Sequence, residues 1–269
     1  MSIKGKTRSI IRDIYLSTAG YTAVPANGIH ILNGHKICKE PGHGTKVDCE
    51  RFDNLLCMLE KYCDLIDFEN AVDLIVNREA VSRPAVAFSF DDGYEDCYYG
   101  IAPVLEKHGV NAMFFINPSA ANAAENNDMA YIDRFVNIST RSPGKRPMTW
   151  QQIRELRKRG FMIGAHTMDH CMTTSHGCQD DLRHQICDCR DMIENKLGFR
   201  CEYFAWPYGT MAHINNDGLN IALRTYKYVF SQTDFKHYLS LGGKVINRRH
   251  FEPWWKHSHV RYFLSFKKI

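Results

Sequence analysis

Apolar runs of strand length alternate along this chain with stretches whose apolar residues recur at helical spacing. Seven runs read as strands: 28–32, 85–90, 112–117, 161–165, 202–206, 228–231 and 244–247. Each is short, rich in aromatic, β-branched or small residues, and bounded by polar or Gly/Pro positions. Between them, Phe52, Leu55, Leu56 and Leu59 fall on one helical face, as do Ile101, Val104 and Leu105, with Gly109 as a C-terminal stop. Thr149, Trp150, Gln151 and Gln152 have the form of a capping box, opening a helix that presents Trp150, Ile153 and Leu156. Leu182, Ile186, Cys189, Ile193 and Leu197 make a further stripe, closed by Gly198. This alternation predicts an α/β fold in which about seven parallel strands form a closed or nearly closed (β/α) barrel. The polar segment 119–148 is expected to be a long loop lining a cleft.

Composition narrows the function classes. At 269 residues the chain can bury a sizeable core without disulfides. A net charge of +4 is too small to point to nucleic acid. The first eight residues are basic, but no apolar stretch of signal-peptide length follows, and no run approaches the ~18 residues of a membrane span. A cytoplasmic location is therefore expected, with the ten cysteines reduced. Cys171, Cys178, Cys187 and Cys189, with His176 and His184, are the candidates for a structural zinc knot. The absence of a Cys-x-x-Cys pair, and the different helical faces of Cys187 and Cys189, argue against one.

The chemistry-bearing residues follow two of the strands. Asp91 and Asp92 stand directly after 85–90, and His166 and His170 directly after 161–165. The C-terminal ends of strands are where α/β folds place their active sites. Adjacent carboxylates repel unless an ion or a shared proton absorbs the charge. Asp92, His166 and His170 together suit a divalent ion with an open position, which leaves Asp91 free to take a proton from water. Taken singly, Asp-Asp-Gly also makes a turn and His-x-x-x-His also arises by chance. Their joint placement after apolar strands is what points to metal-assisted hydrolysis of an amide or ester.

Three motifs carry a resemblance. Ser89-Phe90-Asp91-Asp92-Gly93, His166-Thr167-Met168-Asp169-His170 and Ala205-Trp206-Pro207-Tyr208-Gly209 resemble, in order and spacing, the motifs of the NodB-homology polysaccharide deacetylases. The resemblance runs over about residues 51–250 and implies one such domain for 1–269, with a seven-stranded distorted barrel. It implies Asp91 as general base and Asp92, His166 and His170 as ligands of zinc, or of cobalt, nickel, manganese or iron. It also implies the backbone N–H of Tyr208 as an oxyanion donor. The family's third motif commonly opens with an arginine that orients the base; here the position is Ala205. Arg248 and Arg249 are the nearest substitutes, and Arg249 is assigned the role. His250 is assigned as the acid for the leaving amine. The implied substrate is an N-acetylated sugar of a glycan, or a lipid- or nucleotide-linked precursor of O-antigen or capsule. A small non-sugar amide, or binding of carbohydrate without catalysis, are the alternatives. From 244 to 269, seven Lys/Arg stand against one acid with six aromatics among them. That mixture suits a phosphate-bearing carrier and weak association with a membrane surface. The oligomeric state is left open.

Overall fold

The computed structural model describes residues 3–139, 141–174 and 181–269. The seven expected strands are β1 (Ile29–Gly34), β3 (Ala85–Phe90), β4 (Ala112–Ile116), β5 (Met162–Ala165), β6 (Tyr203–Ala205), β7 (Tyr228–Ser231) and β9 (Val245–Asn247). Three two-residue strands join them: β2 (Asp64–Leu65), β8 (Leu239–Ser240) and β10 (Arg249–His250). The order across the sheet is β10-β1-β3-β4-β5-β6-β7-β9-β8, with β2 on β3. Every pairing is parallel except β8 with β9. β9 and β10 lie towards opposite ends of this order, yet a single residue, Arg248, separates them in the chain. The sheet must therefore curl until its two sides meet, and Arg248 sits at the seam.

Side chains alternate across the curled sheet, as the pleat requires. Ile29, Ile31, Ala87, Met113, Phe115, Phe230 and Ile246 pack with Phe68, Ala71, Val72 and Ile75 of α3 (Phe68–Val76) on the concave side. The opposite face, including Phe88, Phe90, Phe114, Ile116, Ile163 and Phe204, is covered by helices. Those helices include α2 (Lys46–Glu60), α4 (Ala102–Lys107), α7 (Trp150–Lys158) and α8 (Cys189–Leu197). The expected capping box of α7 is present, with Thr149 accepting from Gln152 N–H and the Gln152 side chain returning to the Thr149 N–H. Such a cap stabilises a helix by about 1 kcal/mol. Gly198 ends α8 in the left-handed conformation at φ 70°.

Two expectations are corrected. The segment 119–148 is largely helical, forming α5 (Pro118–Asn126) and α6 (Met129–Ile138). Pro118 starts the first, Asp128 caps the second by accepting from Tyr131 N–H, and Ala120, Ala123, Ile132, Phe135 and Val136 bury a small core with Tyr94. The buried side chains of α5 are alanines, apart from Pro118, and are too small to register as an apolar run. The cysteines are not all reduced thiols, because Cys171 is disulfide-bonded. Of the zinc-knot candidates, His176 and Cys178 lie outside the described residues. Cys187 turns to Thr225 at 3.5 Å while Cys189 is wholly buried, so the two do not converge.

The apolar-run reading also misses α1 (Ile3–Thr22), whose partner is α10 (His257–Leu264) near the other end of the sequence. A further helix, α9 (Asn216–Thr225), precedes β7. Among the described residues no helix is long and apolar enough to cross a membrane.

Candidate active site

Asp91 and Asp92 occupy the C-terminal end of β3, where the ladder continues through Asp91 N–H to the Gly34 carbonyl at 2.9 Å. The chain then turns sharply, with Asp92 at φ 71° and Gly93 at φ 67°. Asp92 is a non-glycine residue held left-handed, a conformation that persists only where the surroundings impose it. Thr167, His170 and Tyr208 share it, so half of the eight non-glycine residues with positive φ among those described belong to the three motif loops. The turn gives the two buried carboxylates separate surroundings.

Asp91 is gripped from one side. Arg248 donates to both its oxygens, at 2.7 and 3.0 Å, and Asn33 Nδ2 donates at 3.0 Å. Arg248 Nη1 also donates to Asn33 Oδ1 at 2.6 Å, and Ser89 Oγ donates to the same oxygen at 2.8 Å. The guanidinium lies over the Phe115 ring, 4.8 Å from its centroid. Burial works to raise the Asp91 pKa, but Arg248, with His166 and His35, outweighs it and holds the carboxyl below the usual range. Arg249, the residue assigned this role from sequence, points elsewhere: its guanidinium lies between the rings of Phe235 and Phe263, at 3.9 and 3.7 Å. Successive residues of an extended segment face opposite ways, so only one of the pair can reach Asp91. The seam selects Arg248.

Asp92 faces the second motif. Its Oδ1 lies 3.4 Å from His166 Nε2 and 3.1 Å from His170 Nε2. Both Asp92 oxygens are buried with no hydrogen-bond partner among the described residues. His166 is oriented by a 2.7 Å hydrogen bond between Nδ1 and the Ala205 carbonyl, which turns Nε2 towards Asp92. Asn117 Nδ2 holds the loop through the carbonyls of His166 and Thr167. An orphaned buried carboxylate facing two imidazole nitrogens fits a divalent cation, since buried polar atoms are otherwise satisfied. A second trio, His35, His250 and Glu252, is equally close-set. There, however, Glu252 already accepts from the His35 ring at 2.7 Å and from its N–H at 3.2 Å, which makes an ion pair the simpler description. Two other such groups, around Asp53 and around Asp48, lie apart from the three motifs.

Tyr208, on the loop after β6, packs its ring 5.1 Å from His170 and donates its hydroxyl to the Ile138 carbonyl. His250, the acid assigned from sequence, is brought to this region but stays at its rim. Its side chain is 42% exposed and its Nε2 is 4.0 Å from Glu252. Although partly exposed, its ring packs against His35 and Trp255, which disfavours the charged form and lowers its pKa to about 4, so it is deprotonated at neutral pH. His35, given no role in the sequence reading, lies further in, with 16% of its side chain exposed. Burial alone would lower its pKa, but Glu252 outweighs that and pushes it up to about 9, with Asp92 and Asp91 adding to the effect. No local motif marks His35. The one usable signal is that it follows a strand end, as Asp91 and His166 do.

Comparison with known proteins gives the family and the fold. The polysaccharide deacetylase family model matches residues 78–229, more than half of the chain. A putative polysaccharide deacetylase of Bacillus subtilis (strain 168), YxkH, is 25% identical over 144 residues. That match takes in 54% of this chain and 43% of the relative, so the chain spans less than half of that protein's length. Among solved structures, IcaB from Ammonifex degensii superposes with a TM-score of 0.65 at 18% identity, covering 91% of this chain and all of that one. The Streptococcus pyogenes deacetylase PplD in complex with acetate gives 0.62 at 18% identity, covering 90% and 99%. At these identities the two structures speak for the fold: a mixed α/β chain with a curled sheet of NodB type. On the family match, this chain belongs to the polysaccharide deacetylase family.

Proposed function

We propose that this protein is a metal-dependent N-deacetylase acting on an N-acetylated amino sugar of a glycan or glycan precursor. The observation that carries the reading is the division between two adjacent buried carboxylates: Asp91 is saturated by Arg248 and Asn33, and Asp92 is orphaned against two imidazoles. Asp92, His166 and His170 would hold the ion, and zinc suits the set, with cobalt, nickel, manganese or iron as substitutes. When bound, such an ion polarises an acyl carbonyl and acidifies water.

The chain's own groups would do the rest. Asp91, kept ionised by Arg248, accepts a proton as water adds to the acetyl carbon. The backbone N–H of Tyr208 donates to the oxygen that becomes negative, an interaction stronger in the transition state than before it. His35, held protonated by Glu252, delivers a proton to the nitrogen as the C–N bond breaks, and acetate and the free amine leave. His35 replaces His250 in this role because an acid must carry its proton at working pH. His250 at the rim is placed to meet substrate instead. We further propose that 1–269 acts as one catalytic domain, because β1 and the segment after β10 supply Asn33, His35 and Glu252 to a centre built mainly by β3 and β5.

The test is acetate release from N-acetylglucosamine oligomers. Protein stripped with chelator should lose activity and regain it with Zn²⁺. Full activity after verified metal removal would refute the reading.

A further inference from the structure

α1 has two apolar faces, and only one of them is covered. Its inner face meets α10 closely. Leu16 is buried there, and a Cβ on Gly20 would come within 1.8 Å of the Ser258 carbonyl oxygen, so the helix backbones touch. Asp13 pairs with Lys256 at 2.6 Å and Ser17 lies 3.2 Å from the His259 ring, which fixes the rotation of the helix. That rotation turns a second set outward. Ile10, Ile14 and Tyr21, spaced four and seven residues apart, form one stripe, with Ile11 and Tyr15 beside it. These five are 57–78% exposed. Exposed Arg8 and Arg12 lie next to this face. Over the first twelve residues the sequence carries Lys4, Lys6, Arg8 and Arg12 and no acid.

An exposed apolar stripe bordered by cations is the pattern of helices that lie in the interface of an anionic bilayer. A second copy of this chain is a poorer occupant, because a contact of α1 with α1 would bring Arg8 and Arg12 from each copy and only one acid, Asp13, which already pairs with Lys256. The helix also lies beside the candidate site. Arg12 and Leu16 share a groove with Lys39, Trp254 and Trp255, and the Trp255 ring packs 5.3 Å from that of His250. Tryptophans at such a position suit the headgroup layer.

We infer that α1 seats the protein on an anionic membrane surface, and that the acetylated sugar it takes is carried there on a lipid. The substrate half rests on the deacetylase reading; the membrane half does not. Flotation of the full chain with vesicles tests the membrane half, using phosphatidylcholine alone or mixed with phosphatidylglycerol. Wild type should float with the anionic vesicles and release in high salt. The double variant Ile10→Ser/Ile14→Ser should reduce bound protein about tenfold or more, and Arg8→Glu/Arg12→Glu should abolish the preference for anionic lipid. All three proteins should release acetate equally from soluble N-acetylglucosamine oligomers. Equal flotation of wild type and both variants, or no flotation of wild type, overturns the proposal. So does a lipid-free dimer that the isoleucine variant dissociates, which would make the stripe a contact between copies. Inactivity of all three on soluble oligomers and on a lipid-linked N-acetylated sugar in the anionic vesicles, with flotation as expected, would instead remove the deacetylase reading and leave the membrane contact standing; release from the soluble oligomers but not from the lipid-linked sugar would overturn the substrate half alone.

Discussion

Two buried ion pairs have their acids five residues apart in this chain, at Asp91 and Asp96, and their surroundings differ. Asp96 and Lys145 are both wholly buried. Lys145 reaches both Asp96 oxygens, at 3.1 and 2.8 Å, and donates to the Gly42 carbonyl. Asp96 also accepts from Ile37 N–H at 2.9 Å. Asp91 and Arg248 are as deeply buried and as short in their contacts. Burial wins at Asp96, whose pKa is raised despite Lys145, whereas at Asp91 Arg248 and the neighbouring histidines together win. The first pair ties the 37–42 loop to the turn before α7, with every contact used for holding. The second is set beside Asp92, a carboxylate that nothing among the described residues satisfies. A buried pair is weak evidence for stability by itself; what surrounds it indicates whether it holds the fold or serves a reaction.

Breaking each pair should therefore give opposite results. Asp91→Asn is expected to lower acetate release by about 10²–10⁴-fold, the range for losing a general base, in a protein that circular dichroism finds folded. Residual activity near wild type would end the assignment of Asp91. Lys145→Met should leave Asp96 buried without its cation and destabilise the fold by about 3–5 kcal/mol in urea unfolding. Turnover per folded molecule should be unaltered, and a loss of turnover at full stability would make this pair functional as well.

The acid side refines the contrast. His35 is raised above its ordinary value of 6.5, so it is protonated at neutral pH and loses its proton as pH rises through about 9. The stability contributed by its pairing with Glu252 is complete below about 6.5 and is lost over that same rise. Activity should fall on an alkaline limb near pH 9. His35→Gln should lower kcat by about 10²-fold and flatten the limb, while His250→Ala should shift neither strongly. A larger loss from His250→Ala would restore the sequence-based assignment.

The smallest effect separates neighbouring arginines. Arg248→Lys keeps the charge but loses the two-pronged grip. It should lower kcat by about tenfold with KM nearly constant, whereas Arg249→Met should leave kcat alone. A reversed order would mean that the seam has been assigned the wrong way round.

What could be read from sequence follows how locally each feature is specified. The seven strands, the cap of α7 and the stop at Gly198 depend on neighbouring residues, and all are present. The set Asp92, His166 and His170 was legible because each loop carries a compact motif after an apolar run. Segment 119–148 reads as loop because α5 packs through Ala120, Ala121, Ala123 and Ala124, and α1 escapes the pattern because its apolar residues are split between two faces. Arg249 was preferred to Arg248 because one residue of register decides which side chain enters the curl, and composition does not record register.

By itself the sequence determined the alternation of strands and helices, the family, and the paired acids with their two histidines. Only the tertiary structure decided which arginine reaches Asp91 and which histidine pairs with Glu252. Asn33, His35, Arg248 and Glu252 come from opposite ends of the chain. They meet because the sheet curls until β10 pairs with β1, a long-range contact specified by the whole core and not by any segment of it.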